Sequence, residues 1–398
     1  MAGKINLRAC LGVIGFAVFL LVPSFDTILK YFGVIGVAAY FLIGTILLLL
    51  GYRYLTPVFE NKLSERNANI LAAITFLGLI AIVVVGYPIA NSGRFGGGSD
   101  ADEALITAAG DLLKGHYPYT QHTYLGNPIS PMPGSIVFAL PFVLLGLFSM
   151  QNVAWFLVLF FVLRHFAQSS AAALLLIWIL LFLSPTVLWN FVTGSDYATN
   201  AIYITVLMWL LIKKVLDSNS ADWQRIVLAV FLGIGLSSRS NFLLVLPLLF
   251  SMFVQNAGWM TAIKYLTVTG VSFLLITIPF WIYDPQGFTP LLAQGSKLKT
   301  LEDVLPFAAI IIPGSTIILS LGLALRKLRP DCSVFFRNCA IVQLFVLLFT
   351  CVISSIKRGY PDLYLSQAGY GMFTLFFGVI SVWITRFENP RNSIAETA

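Results

Sequence analysis

Residues 70–85 read ILAAITFLGLIAIVVV, sixteen positions without a charge, and Gly86-Tyr87-Pro88-Ile89-Ala90 extends the run before the acidic cluster Ser99-Asp100-Ala101-Asp102-Glu103. A membrane-spanning helix needs about 20 predominantly apolar residues, and this segment reaches that length. Similar runs recur at 11–22 and 34–50 and onward to the C-terminal region, about a dozen in all. Of the 398 residues 58% are hydrophobic and only 10% charged, with a mean hydropathy of +0.89, whereas soluble domains carry about 25% charge. The expected class is an all-α polytopic membrane protein. So little chain remains between the runs that a soluble domain is excluded, and with it a nucleic-acid-binding module, despite a net charge of +7.

Basic residues in short loops face the cytoplasm, which sets the orientation. With the N-terminus inside, the first helices cover about 9–29, 32–50 and 70–90, and residues 91–131 lie outside. Residues 132–146 are apolar but too short to cross, with Pro131 before them and Pro133 and Pro141 within. They are expected as a re-entrant or interfacial helix. Further spans follow at about 147–164, 171–189, 199–215, 224–238, 241–257, 262–282, 304–325, 338–356 and 366–384. Twelve crossings result, with both termini inside. The inner side then holds sixteen of the 24 basic residues and seven of the 17 acids, a net +9, and the outer side is −2. Counting 132–146 as a crossing would turn the basic loop Arg326–Arg337 outward. The organisation read from this is one transmembrane domain. Residues 1–69 form an additional N-terminal helix pair, 70–384 the core with an outer loop at 91–146, and 385–398 a cytoplasmic tail.

The start, Lys4 and Arg8 before an apolar run, lacks an evident cleavage site and is expected as a retained first helix. Cys10, Cys332, Cys339 and Cys351 show no metal-ligand spacing and are expected as free thiols. No nucleotide-binding, zinc-hydrolase or nucleophile-elbow motif is present.

Unusual residues gather on the outer side. Asp100, Asp102 and Glu103 precede Ala104–Leu113, a candidate short helix. Acids there are favourable by the helix dipole alone, so capping is one reading, and a general base at the membrane surface is the other. Arg239 is expected in an outward hairpin at or below the membrane surface, either as a snorkelling anchor or on a lipid phosphate, which guanidinium matches bidentately. Lys357-Arg358 is a basic pair on the disfavoured side and a candidate for an anionic ligand. Asp196, beside Asn200, is read as a helix cap or an acceptor contact. His116 and Tyr119 are read as sugar contacts or interface anchors. Lys297 and Lys299 have Glu302 and Asp303 as nearby partners.

The order of these parts resembles the GT-C glycosyltransferases: an acidic pair, a short alanine-bearing helix, Gly115-His116-Tyr117-Pro118-Tyr119, then the proline-rich Pro128-Ile129-Ser130-Pro131-Met132-Pro133. The resemblance is strongest over 99–146 and is closest to membrane mannosyltransferases that use polyprenyl-phosphate sugars. It weakens through Gly194–Asn200 and Gly233–Asn241. The family's Tyr-Pro-Pro-Leu phrase is absent, and two extra helices precede the loop that in the family carries the catalytic acid.

The resemblance implies inverting transfer from a polyprenyl-phosphate sugar to a glycan, lipid or protein acceptor, on the outer face of a bacterial inner membrane. Asp102 or Asp100 would be the base. Arg239, Lys357 and Arg358 would meet the donor phosphate, and Glu103, His116, Tyr119, Asp196 and Asn200 the sugar or acceptor. It implies no cofactor, with metal dependence left open; membrane lipids are the other expected partners. The competing expectation is a twelve-helix secondary transporter or a flippase for lipid-linked saccharides. Transporters place ionisable groups at the midplane between repeated halves, and no repeat is evident here.

Overall fold

A computed structural model of the chain describes residues 7–92, 94, 99–326, 331–362 and 369–387, without the side chains of 7–11, 292–294, 296 and 297. The Cys10 and Lys297 side chains, Gly96-Gly97-Gly98 and the tail from 388 on lie outside that description. Cys332 and Cys339 are buried free thiols.

The described residues are helical, with a single isolated β-bridge between His122 and Pro128. In order, α1 is Leu7–Leu21, α2 Phe25–Leu50, α3 Thr56–Asn61, α4 Glu65–Ala90, α5 Ala101–Leu113, α6 Pro133–Leu144, α7 Gln151–Ala167, α8 Ser170–Leu183 and α9 Pro185–Thr193. Then come α10 Tyr197–Leu216, α11 Asp222–Leu236, α12 Leu246–Ala257, α13 Trp259–Tyr283, α14 Thr289–Lys299, α15 Ala308–Ala324, α16 Cys332–Arg358 and α17 Gly371–Phe387.

Among these, seven helices or joined runs are long and apolar enough to cross a membrane, or eight if α8 and α9 form one bent span. The expected number was about twelve. The difference has two sources. The first run, Gly12–Asn61, contains a reversal: Gly33 adopts φ 66 and ψ −171, which a side chain would disfavour. Phe25 then meets the rings of Tyr40 and Phe41, and a Cβ on Gly44 would touch Leu21, so the chain folds back as a hairpin. The second source is length, because α11, α15 and α17 have only 15, 17 and 17 residues.

The segment expected as a straight span over 171–189 is broken. Helices α8 and α9 meet at 84° across Ser184, where Pro185 offers no N–H to continue the first helix. The 132–146 segment forms α6, twelve residues long, too short to cross. Its Ile136 and Ala139 join Ala104, Leu105 and Phe148 in one apolar cluster, so α6 lies along α5.

Polar contacts tie the helix ends in two groups. At one end the Ser170 amide donates to the Glu65 carboxylate, Lys264 pairs with Asp222, and Arg386 with Glu60. At the other, Tyr117 donates to the Phe280 carbonyl and Thr289 to that of Ile129. The candidate site occupies this second end.

Gly134 makes the tightest helix approach at that end. A Cβ there would lie 2.1 Å from the Ile234 carbonyl oxygen and 2.7 Å from the Ser238 nitrogen. Its N–H donates to the Ser237 carbonyl at 3.0 Å. Small residues let membrane helices approach to backbone contact. Gly134→Val should therefore lower stability by about 1–3 kcal/mol or more. Gly110→Ala, which meets nothing within 4 Å in a helix interior, should be neutral or gain about 0.5–1 kcal/mol. Detergent-solubilised melting curves of the two variants check this, and equal melting would refute the close approach.

Candidate functional site

Asp102 stands in the first turn of α5 and is 6% exposed. Its Oδ2 accepts from the Tyr87 hydroxyl at 2.7 Å and from the Asn91 side-chain amide at 3.0 Å. Tyr87 and Asn91 share a face at the C-terminal end of α4, four residues apart, so one helix end presents both donors. A Cβ on Gly194, at the C-terminus of α9, would lie 3.1 Å from the Asp102 Cβ and 2.7 Å from the Tyr87 ring. Gly194 itself takes φ 68. Burial pushes the Asp102 carboxyl above the usual carboxylate range. The Tyr87 hydroxyl and the first amides of α5 pull it down, and the Glu103 charge adds a small upward push. The net shift is upward, the direction a general base needs.

Asp100 and Asp102 do not converge. Residues two apart at the head of a helix face different ways, and Asp100 accepts instead from Thr123 at 2.7 Å and Asn127 at 2.8 Å. Asp100 occupies the N-cap position without a side-chain capping bond, and Glu103 accepts the Tyr124 amide at 2.9 Å. Capping therefore does not account for either acid: both fasten the 120–128 turn onto α5. Among the described residues, no three His, Cys, Asp or Glu side chains gather as metal ligands.

Arg239 is 2% exposed, so it does not snorkel. Its Nη2 donates to the Asp196 Oδ1 at 2.6 Å, and its guanidinium lies 4.4 Å from the centre of the Tyr197 ring. Asp196 also accepts from Asn200 at 3.0 Å, and Tyr203 donates to Asn200 at 2.6 Å. Asp196 sits at the N-cap of α10 without a capping bond; its partner is Arg239. Among the described residues, the Arg239 Nε has no hydrogen-bond partner. Around the pair, Asn152 donates to the carbonyls of Asn190 and Ser195 and accepts from Thr199. Gly194 links this polar core to Asp102, because it precedes Ser195 and Asp196 and touches the Asp102 side chain.

Among the described residues, Lys357, Arg358, Tyr119 and His116 make no hydrogen bond or ion pair with Asp102 or Arg239. Lys357 is held by the Thr300 carbonyl and by Asp303 at 2.7 Å, and Arg358 by Asp362 at 2.8 Å. Both positive charges thus have carboxylate partners, and Asp303, one of the acids expected near Lys297 and Lys299, accepts from Lys357. Tyr119 is 3% exposed, packed edge-on to Phe280 and Phe288, so it is a core residue and no sugar platform. His116 is exposed beyond the far end of α5. Eleven residues of helix, about 16 Å, separate that end from Asp102, so His116 belongs to no site with it.

The chain matches no known protein family, no characterised protein and no solved structure. The chemistry of the site thus rests on its own residues. Sequence reading missed Tyr87, Asn91, Asn152 and Asn190. The only local signal was Tyr87 and Asn91 at helical spacing beside Pro88; the two asparagines lie in apolar runs where one polar residue carries no pattern.

Proposed function

We propose that the protein is a membrane glycosyltransferase of GT-C type that moves a sugar from a polyprenyl-phosphate-linked donor to an acceptor hydroxyl on the outer face. The observation that carries this reading is Asp102: a buried carboxylate, raised in basicity, held by Tyr87 and Asn91 and adjoining the Asp196–Arg239 pair through Gly194. Asp102 takes the acceptor proton as the acceptor oxygen forms its bond to the anomeric carbon. The bond from that carbon to the phosphate oxygen breaks, and the electron pair leaves on the lipid phosphate. Attack opposite the leaving group inverts the centre. The leaving phosphate is already ionised and needs no proton from an acid. The unpartnered Arg239 Nε is the donor assigned to it, since such preorganised donors act where charge develops.

Twelve traversals belong to the same reading. The contacts at the two ends, the Gly33 hairpin and the short helices α11, α15 and α17 support alternating passages with α6 lying on the outer side. Both termini are then cytoplasmic and the acids external, in a bacterial inner membrane. The competing reading, a transporter or lipid-saccharide flippase, draws on the 84° break at Ser184, because transporters use broken helices.

Purified protein in liposomes, given a radiolabelled polyprenyl-phosphate sugar and a hydroxyl acceptor, should yield labelled product. Its rate should fall as pH drops through the raised Asp102 pKa, because only the ionised carboxylate accepts the proton. That limb should lie above the ordinary value near 3.9. Movement of labelled lipid across the bilayer without product would support the flippase.

A further inference from the structure

A cavity of about 720 Å³ opens between α1, α2, α8 and α17, toward the end of the bundle where Arg386 meets Glu60 and away from the acids. Its shape follows from glycines. On α17, Gly378 and Gly371 let Phe19 of α1 and Pro23, in the turn just after it, sit against the backbone, and a Cβ at either would overlap them. The two helices are thus closed together over that half. Gly12, Gly15 and Gly51 line the other half and have nothing opposite them within 4 Å, so it stays open. The walls are hydrocarbon, with Phe16, Leu48, Trp178 and Val382 among them.

Two arginines stand at the lining. Arg386 is occupied, donating to both Glu60 oxygens at 3.0 and 3.1 Å. Arg337 is exposed and has no hydrogen bond or ion pair among the described residues. A cleft with apolar walls and one uncompensated guanidinium matches a ligand with hydrocarbon tails and a phosphate. We propose that the cleft binds one anionic phospholipid, its tails along α1 and α8 and its phosphate on Arg337. Charge complementarity selects the anionic class, because guanidinium binds phosphate oxygens bidentately. This site is independent of the glycosyltransferase reading and shares no residue with it.

Native mass spectrometry of the detergent-purified protein, titrated with phosphatidylglycerol or with phosphatidylcholine of the same chains, tests the assignment. Phosphatidylglycerol should bind about five- to tenfold more tightly, as expected for one basic side chain near a lipid headgroup. Arg337→Ala should erase that preference and Arg337→Lys keep most of it. Gly15→Phe, filling the open half, should weaken both lipids; Val382→Trp narrows the cleft from the facing wall should the first variant not fold. Equal binding of the two lipids to the parent, or a preference that survives Arg337→Ala, would overturn the proposal. So would dihexanoyl phosphatidylglycerol or inorganic phosphate binding as tightly as the long-chain lipid, since the apolar walls would then contribute nothing.

Discussion

Asp102→Asn should reduce sugar transfer by ~10²-fold or more while leaving the protein at least as stable as its parent. The first part follows from chemistry: the amide keeps the shape, and its oxygen still accepts from Tyr87 and Asn91, but it takes no proton. The second follows from the direction of the pKa. Burial raises the folded-state value above the unfolded one, so the folded protein binds the proton more readily. The stability linked to that proton is complete below the unfolded pKa and lost as pH rises through the folded one. At neutral pH the ionised Asp102 thus costs stability, and a neutral amide relieves that cost. Asp100→Asn should be milder in transfer, since Asp100 holds Thr123 and Asn127 and acts through loop position. Glu103→Gln should be milder still. Initial-rate assays with melting curves on the same preparations separate the two effects. Parent-level transfer in the Asp102 variant and in an Asp100/Asp102 double variant would refute the assigned base.

Arg239→Ala should destabilise the fold by about 3–5 kcal/mol, the usual cost of stripping one partner from a buried ion pair. Asp196, 1% exposed, would lose its cationic partner and keep the Asn200 amide as its side-chain donor among the described residues. Arg239→Lys keeps the charge but loses the planar contact with Tyr197, so it should fall between parent and alanine. The paired replacement Asp196→Leu with Arg239→Met removes both charges and should recover much of the lost stability, because apolar isosteres often match a buried ion pair. Transfer should not return with it if the Arg239 Nε serves the leaving phosphate. A stable double variant with parent turnover would leave the pair a structural role alone. Chemical denaturation and donor-saturation kinetics on the three variants decide between these outcomes.

The membrane class and the positions of most helices were legible in the chain, because hydrocarbon thickness and backbone hydrogen bonding dictate long apolar helices whatever surrounds them. Ile70–Val85 had to be part of such a helix, and α4 contains it. The short, proline-bounded 132–146 segment also showed by length alone that it would not cross like its neighbours. The 99–103 cluster could be singled out as a candidate site because three carboxylates within four residues are unusual beside a long apolar run. Sequence did not reveal which of those acids is buried, since Asp100 and Asp102 have the same local surroundings. Their difference comes from Tyr87 and Asn91 on another helix and Gly194 on a third. Nor could sequence pair Asp196 with Arg239, 43 residues apart, or place Tyr119 among Phe280 and Phe288. Each of these depends on which helix faces which, and an apolar run that is hydrophobic all round carries almost no record of its inward face. In lipid that choice is made by close packing and interhelical hydrogen bonds, such as the contact of Gly134 with Ser237 and Ser238, and those exist only once the helices have assembled.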